Sequence, residues 1–246
     1  MSSPAQIGFY ASLLGQSEPP FANQYSMNFD GIDEAITFPA DAAYGSTLKH
    51  SISVWFKCTT LGGSGTHYLF DTGRIRVGFI QNTNQLRYEI RDSPTADDIR
   101  ISGLTITDGN WHHILATFDG STQIAKVYYD GSLIFTKNPT NNNSTDQQIA
   151  NAIGSAYLGS SRFFVGNIDE VAFWHDTDQS ANISSIWNGG TPNDLNTLPT
   201  PPTNYVRMGD GATWDGFSWS LPDLGVMNGS PKSINMEQTD RQADVP

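Results

Sequence analysis

Apolar and polar residues alternate over several short segments of the chain. The alternation runs from Tyr25 to Phe29, from Ile52 to Cys58, from Ile75 to Phe79 and from Leu86 to Ile90. A period of two is typical of a β-strand that buries one face and exposes the other. Such half-solvated strands occur in antiparallel sheets, so the pattern predicts an all-β protein.

Two Asp-Gly pairs indicate hairpins in the middle of the chain. Asp119-Gly120 and Asp130-Gly131 each lie between apolar stretches, and Asp-Gly favours the tight turns that close hairpins. They predict a three-strand meander, and the Asn-rich stretch from Asn138 to Thr145 is predicted to be an exposed loop. A single short helix is predicted from Ser180 to Asn188, where apolar residues lie three and four positions apart.

The limits of the strand-like alternation and a proline-rich stretch predict that the chain has four parts. These are an arm at residues 1–24, a sandwich domain at 25–188, a linker at 189–203 and a segment at 204–246. The linker is inferred from Pro192, Pro199, Pro201 and Pro202, which stiffen a chain. The arm has apolar residues, and we expect it to dock on its own domain or on a neighbouring subunit. These residues are Phe9, Tyr10, Leu13 and Leu14.

Composition excludes some classes of function. There are 25 acidic and 13 basic residues, a net charge of -12, and no basic cluster that would neutralise nucleic-acid phosphates. No apolar run approaches the ~20 residues of a membrane span, and the N-terminus predicts no secretion signal. The single cysteine, Cys58, excludes an intrachain disulfide, and its place in an alternating segment predicts a small core residue.

Three segments, in order, resemble the laminin-G-like branch of the concanavalin A-like lectin and glucanase superfamily. They are Phe29–Asp33, Trp111–Gly131 with its two Asp-Gly pairs, and Gly166–Trp174, followed by Ile186–Asn188. The resemblance implies a two-sheet antiparallel jelly-roll sandwich. Each motif also has a structural explanation, because Trp111 buries a large area and Asp-Gly pairs fix hairpin register.

The resemblance also implies a calcium site. Domains of this kind often hold one ion, and Asp30, Asp33 and Asp169 occupy motif positions. Calcium takes six to eight oxygen ligands, so backbone carbonyls and water would complete the shell. The alternative is that Asp30 and Asp33 cap a tight turn around Gly31, while Asp169 accepts hydrogen bonds from the backbone.

Catalytic motifs are missing from the sequence. Glucanases of the superfamily carry alternating carboxylates on one strand, whereas Asp169 and Glu170 are adjacent and are expected to face opposite sides of the sheet. For the same reason His112 and His113 are not expected to share a zinc ion. The sequence therefore predicts a protein that is not an enzyme.

Aromatic residues provide candidates for sugar binding. Arg162, Phe163 and Phe164 form one candidate group, and the C-terminal residues Trp214, Phe217 and Trp219 form another. Aromatic rings stack on sugars, but they also pack in cores and at subunit interfaces, so both interpretations remain open. Carbohydrate binding is only one of the functions that this fold supports.

The segment at 204–246 resembles the opening strands of another laminin-G-like repeat but is too short for a second sandwich. It is predicted either to supply edge strands to the main domain or to contact another subunit. The order of arm, sandwich, Pro-rich linker and Met208-Gly209-Asp210 is similar to that in virion proteins of tailed phages. This similarity implies a structural protein on the virion surface, as capsid decoration, capsid fibre or tail fibre.

The expected partners are other virion subunits, with a symmetric homo-oligomer as the simplest assembly. The alternative function is an adhesin that binds host-surface glycans, and both functions are compatible in one protein. A bacterial surface module is equally compatible with the composition. A glycan-cleaving enzyme is the least favoured interpretation.

Overall fold

The computed structural model describes residues 21–39, 49–61, 65–73, 75–92, 95–139, 150–157 and 159–246. The predicted arm lies almost wholly outside these residues, as does most of the predicted loop from Asn138 to Thr145. None of the helices within the described ranges is long and apolar enough to span a membrane.

Seventeen β-strands and one short α-helix, α1 (Ile183–Trp187), are found in the described ranges. The strands are β1 (Ser26–Asp30), β2 (Ala35–Pro39), β3 (Lys49–Lys57), β4 (Thr66–Asp71), β5 (Ile75–Ile80), β6 (Gln85–Asp92), β7 (Thr95–Ile101), β8 (Trp111–Asp119), β9 (Ile124–Tyr129), β10 (Ser132–Lys137), β11 (Ala150–Ile153), β12 (Val165–His175), β13 (Asn204–Val206), β14 (Thr213–Trp214), β15 (Trp219–Ser220), β16 (Lys232–Ile234) and β17 (Arg241–Gln242).

The strands form two antiparallel sheets. The first sheet has the order β10-β9-β8-β3-β12-β1-β17, and β13 also pairs with β12. The second sheet has the order β14-β15-β16-β2-β11-β4-β5-β6-β7. The predicted all-β sandwich is therefore confirmed.

One hydrophobic core lies between the two sheets and follows the alternation seen in the sequence. Ile52, Val54 and Phe56 of β3 point into it from the first sheet, while β5 and β6 contribute from the second. Cys58 is 3% exposed within this core, and its thiol donates to the carbonyl of Ile106. The prediction of a small core cysteine is confirmed.

The Asp130-Gly131 turn closes the β9–β10 hairpin as predicted. Both residues have left-handed φ values, 47° and 75°, which a two-residue turn of this kind requires. Glycine is required for a second reason: a Cβ at position 131 would lie 2.4 Å from Cδ1 of Trp187. The turn therefore also positions the helix.

Residues 180–203 cover the outer face of the first sheet. The predicted helix is confirmed as a short 3-10 turn followed by α1, and Ile186 packs against Trp174 in a second apolar cluster. The segment at 189–203, predicted as a linker, packs against the domain, because Leu195 and Leu198 are buried in this cluster. The Trp174 indole also donates to the carbonyl of Thr200 at 3.0 Å.

Residues 204–246 contribute strands to both sheets. β13 pairs with β12 and β17 pairs with β1 in the first sheet, while β16 pairs with β2 in the second. The sheets therefore extend past Asn188, where the sequence motifs end.

The carboxylate of Asp223 organises the start of this returning segment. It is 2% exposed and accepts hydrogen bonds from Asn204 Nδ2, Tyr205 N, Gly225 N and Gly229 N at 2.6 to 3.0 Å. These contacts connect β13 to the loop at residues 223–229. A buried donor that loses its acceptor costs about 1–3 kcal/mol.

We expect Asp223→Ala to lower the free energy of unfolding by about 3 kcal/mol or more, because it leaves several buried donors unsatisfied. Urea unfolding followed by tryptophan fluorescence measures this. Asp215→Ala is the matched control, since Asp215 also accepts from backbone and side chain but is exposed, where water replaces it. An equal loss of unfolding free energy in Asp223→Ala and Asp215→Ala would contradict the conclusion that the buried hydrogen bonds of Asp223 stabilise the fold.

Candidate functional site

The three aspartates proposed for calcium do not meet at one place. Asp30 pairs with Val165, four residues along β12 from Asp169, a separation of about 13 Å at the usual strand rise. Asp30 accepts from Ile32 N, and Asp33 is exposed in the same turn. Among the described residues, no group of three His, Cys, Asp or Glu side chains is placed to hold a metal ion.

The adjacent histidines face opposite sides of the first sheet, as expected. The His112 ring packs against Phe56 and Tyr129 and contacts the carboxylates of Asp108 and Asp130. The His113 ring lies on the other side and its Nε2 is 2.8 Å from Ser53 Oγ. The two imidazoles therefore belong to separate structural networks.

Asp169 and Glu170 depart from the expectation that they face opposite sides. A bulge interrupts the pairing of β12 with β3 at this point, and Glu170 has a left-handed φ of 46°. Asn23 Nδ2 donates to Asp169 at 2.9 Å, and Arg207 Nε donates to Glu170 at 2.9 Å while its Nη2 donates to the carbonyl of Ala22. The bulge thus brings both carboxylates to one polar cluster.

Burial makes both carboxyl groups hold protons more tightly than usual. Burial, followed by the neighbouring charge of Glu170, raises the pKa of Asp169 well above its ordinary value. Burial also raises the pKa of Glu170 to about 7, although Arg207 and the Tyr205 hydroxyl act in the opposite direction. Both residues are at most 1% exposed, so the pair does not open onto a cleft.

Of the three residues first proposed for sugar binding, only Arg162 reaches an exposed cluster. Phe164 is fully buried in the core, and Phe163 is half-buried with its carbonyl accepting from His67 Nδ1. Arg162 is exposed and turns toward the outer face of the second sheet. The aromatic residues beside Arg162 in the sequence are therefore not the ones that lie beside its side chain on the surface.

The C-terminal aromatic residues have different environments. Trp219 is 4% exposed and packs in the core, with Trp214 half-buried against it. Phe217 is 90% exposed at the tip of the β14–β15 hairpin. The alternative that these aromatic residues pack in a core therefore holds for Trp214 and Trp219 but not for Phe217.

Two tyrosines and two arginines, here named the tyrosine-arginine cluster, lie together on the outer face of the second sheet: Tyr68, Arg76, Tyr157 and Arg162. The guanidinium carbon of Arg76 is 4.5 Å from the Tyr157 ring centre and 5.6 Å from that of Tyr68. The corresponding distances for Arg162 are 5.7 and 5.8 Å. All four are within the range of cation-π attraction.

Strand alternation places Arg76 in this cluster. Its neighbours Ile75 and Val77 point into the core, so Arg76 points to the opposite face. Asp71, at the end of β4, accepts from Arg76 Nε at 2.8 Å and from Tyr157 N at 2.9 Å. A single carboxylate therefore connects the strand to the loop that carries the exposed tyrosine.

A second carboxylate, Glu89 on β6, supports the other tyrosine. The Tyr68 hydroxyl donates to Glu89 at 2.9 Å, and Arg87 forms an ion pair with the same carboxylate. Arg87 also makes a bidentate contact with Asp98 on β7. The alternation from Leu86 to Ile90 predicts that Arg87 and Glu89 point away from the core, and they do. They lie in an ion-pair network rather than in free solvent, with Glu89 3% exposed.

These contacts fix the charge states of the cluster. Burial and the adjacent Glu89 raise the pKa of Tyr68 to about 12, so the phenol stays neutral. Burial opposes the charge on Arg76, but Asp71 outweighs it and holds the pKa of Arg76 above its ordinary value. The base of the site is thus a neutral phenol beside a permanently charged guanidinium.

The loop above this base is held in an uncommon conformation. Tyr157 and Arg162 have φ values of 52° and 59°, in the left-handed region that side-chain-bearing residues rarely occupy. An isolated antiparallel β-bridge pairs Ala156 with Ser161 at the base of this loop. Such conformations cost energy and cluster at functional sites. Tyr157 remains 47% exposed, so its ring presents a surface to solvent.

Comparisons with known proteins agree with this architecture. A laminin G family model, described as concanavalin A-like lectin/glucanases superfamily, matches residues 30–184. The chain belongs to this superfamily. All of β1 except Asp30 lies before the start of the match, and β13 to β17 lie beyond its end.

One human relative, cadherin EGF LAG seven-pass G-type receptor 1, is 28% identical over 142 residues. The match covers 56% of this chain but only 4% of the receptor, so this chain spans a small part of that relative.

Solved structures of other proteins show the same fold at low identity. A "putative carbohydrate binding protein" of Bacteroides ovatus has a TM-score of 0.68 at 13% identity, covering 92% of this chain and 61% of that one. The CBM40 of a Ruminococcus gnavus IT-sialidase, bound to α2,3-sialyllactose, has a TM-score of 0.52 at 13% identity, covering 65% and 97%. These identities establish the fold alone.

The buried carboxyl pair leads to a prediction about pH. The folded pair keeps protons that the unfolded chain releases, so the free energy of unfolding should fall as the pH rises from about 4.5 and level off above the folded pKa values. Asp169→Asn, which stays neutral at every pH, should show a smaller fall. Urea unfolding from pH 4.5 to 8 measures both slopes.

Asp33→Asn provides the control, since Asp33 is an exposed aspartate and should retain the slope of the unmodified protein. An Asp169→Asn slope identical to that of the unmodified protein would show that the buried pair does not control this pH dependence.

Proposed function

We propose that this chain is a non-enzymatic carbohydrate-binding sandwich that binds glycans at the tyrosine-arginine cluster. The observation that carries the proposal is the exposed ring of Tyr157, held above a buried network of arginines and carboxylates. A sugar ring offers C–H groups that pack on an aromatic face and hydroxyls that pair with charged groups. The cluster supplies both kinds of contact.

The rigid base of the cluster supports this assignment. Arg76 and Asp71 are each 2% exposed and paired with one another, so Tyr157 rests on groups that do not rearrange freely. A preformed site avoids the entropic cost of ordering side chains on binding. Weak ligands such as sugars benefit most from this saving.

The carboxylates support binding rather than hydrolysis. A glycosidase uses a free acid and a free base on either side of the scissile bond. Here Asp71 and Glu89 are almost fully buried and are paired with Arg76 and Arg87. The other acidic pair, Asp169 and Glu170, is buried beside Arg207.

The names of similar structures agree with the proposal. The Bacteroides ovatus protein is called a "putative carbohydrate binding protein", and the Ruminococcus gnavus CBM40 is bound to a glycan. A sandwich of this fold therefore holds a sugar in the Ruminococcus gnavus protein. The specificity of this chain is inferred from its own side chains.

The broader role within this proposal is display on the surface of a tailed-phage particle, as a homo-oligomer with other virion subunits. Its support is the similarity of the arm, the Pro-rich segment and Met208-Gly209-Asp210 to virion proteins. A host-surface adhesin is the alternative role. Mass spectrometry of purified particles should detect the chain, and its absence from particles would exclude the virion role while leaving sugar binding intact.

Glycan binding should depend on the ring of Tyr157. On a glycan array followed by titration calorimetry, Tyr157→Asn should weaken binding at least about tenfold because the stacking surface is lost. Asparagine is chosen because it adopts left-handed φ values readily. Tyr157→Phe should retain binding, since it keeps the ring.

Phe217→Ser tests the competing surface, because Phe217 is the most exposed large aromatic among the described residues and lies on the β14–β15 hairpin. This variant should bind as the unmodified protein does. If Phe217→Ser abolishes binding and Tyr157→Asn does not, the tyrosine-arginine cluster is not the binding site.

A further inference from the structure

Arg162 differs from the other arginines whose side chains the structure describes on the outer face of the second sheet, which are Arg76, Arg87 and Arg100. Arg76 pairs with Asp71, while Arg87 and Arg100 both pair with Asp98. The Arg162 side chain forms no ion pair with any described residue, and its hydrogen bond in the described region runs from Nη1 to the Tyr68 hydroxyl at 3.4 Å. Most N–H groups of its guanidinium therefore have no hydrogen-bond acceptor among the described residues.

The charge balance of this face is unusual for the chain. Four arginines and three carboxylates lie in the described network, and the unmatched charge is that of Arg162. The chain as a whole has a net charge of -12. A positive charge in so acidic a chain is not needed for solubility, and apart from the contacts with Tyr68 and Tyr157 no described residue pairs with it.

The surroundings of Arg162 direct this charge toward a ligand. Its left-handed backbone holds the exposed side chain over the rings of Tyr68 and Tyr157. Because the guanidinium carbon is 5.7 Å from the Tyr157 ring centre, one monosaccharide can contact both groups. A planar guanidinium pairs best with a planar carboxylate, through two parallel hydrogen bonds.

We infer that the tyrosine-arginine cluster selects sugars that carry a carboxylate, with Arg162 as the counter-ion and Tyr157 as the stacking surface. The inference rests on the proposed function and specifies its ligand class as acidic glycans of the sialic or uronic acid type. A neutral sugar would use the ring of Tyr157 but would leave the charge of Arg162 unmatched.

Matched pairs of saccharides test the inference by titration calorimetry of the full chain. The pairs are α2,3-sialyllactose with lactose, and trigalacturonic acid with its carboxyl-reduced form. In at least one pair the acidic member should bind about tenfold more tightly than the neutral member, because a charge-assisted bidentate contact is worth at least ~1.4 kcal/mol. The preference should decrease as salt concentration rises.

Arg162→Asn removes the charge while keeping a residue that tolerates left-handed φ, so it should lower the affinity for the acidic member to that for the neutral member and abolish the preference. Arg100→Asn is the matched control, since Arg100 is an exposed arginine whose charge is paired with Asp98. This control should change affinity less than about twofold.

The possible failures are distinguishable. Equal affinity for both members of each pair, or a preference that survives Arg162→Asn, would overturn the inference and leave carbohydrate binding in place. Failure to bind any saccharide, including those of a full glycan array, would overturn the proposed function and the inference together.

Discussion

The buried ion pair between Asp71 and Arg76 is the contact on which the candidate site depends. Both side chains are 2% exposed, and the same carboxylate accepts the backbone N–H of Tyr157, 86 residues further along the chain. Removing one partner of a buried pair leaves an uncompensated charge, at a cost of about 3–5 kcal/mol. Asp71 therefore fixes the guanidinium beneath the Tyr157 ring and the backbone that carries the ring, so the stacking surface forms together with the fold.

The two outer faces of the sandwich are used differently. On the first sheet, α1 and residues 189–203 bury Trp174 and its apolar neighbours, and Trp187 stacks on Trp55 with ring centres 5.0 Å apart. On the second sheet, the described outward side chains of β4, β5 and β6 include tyrosines, arginines and carboxylates. One face is thus closed by the chain itself, and the other carries groups suited to a polar ligand with an apolar side.

The fold was predictable from the sequence because it depends on local alternation and turn chemistry. The period of two located β1, β3, β5 and β6, and Asp130-Gly131 located the β9–β10 hairpin. The path of residues 189–203 was not predictable, since prolines indicate stiffness but do not show that Leu195 and Leu198 are buried. The bulge at Glu170 was missed because strict alternation was assumed, and a left-handed residue within a strand has no composition signal.

The candidate site was only partly predictable. Alternation in β5 and β6 indicates that Arg76 and Arg87 share the outer face, and Arg162 was selected for its aromatic neighbours. Those neighbours, Phe163 and Phe164, proved to be half-buried and buried. The rings that do contact Arg162 belong to Tyr157, five residues earlier, and to Tyr68, 94 residues earlier. Contacts across such sequence distances depend on sheet order, which local patterns do not encode.

The most direct test of the account is a crystal structure of the chain with a bound acidic saccharide. The account predicts that the sugar ring packs on Tyr157 and that its carboxylate lies within hydrogen-bonding distance of the Arg162 guanidinium. A saccharide bound at the β14–β15 hairpin around Phe217, or on any surface away from the tyrosine-arginine cluster, would contradict it.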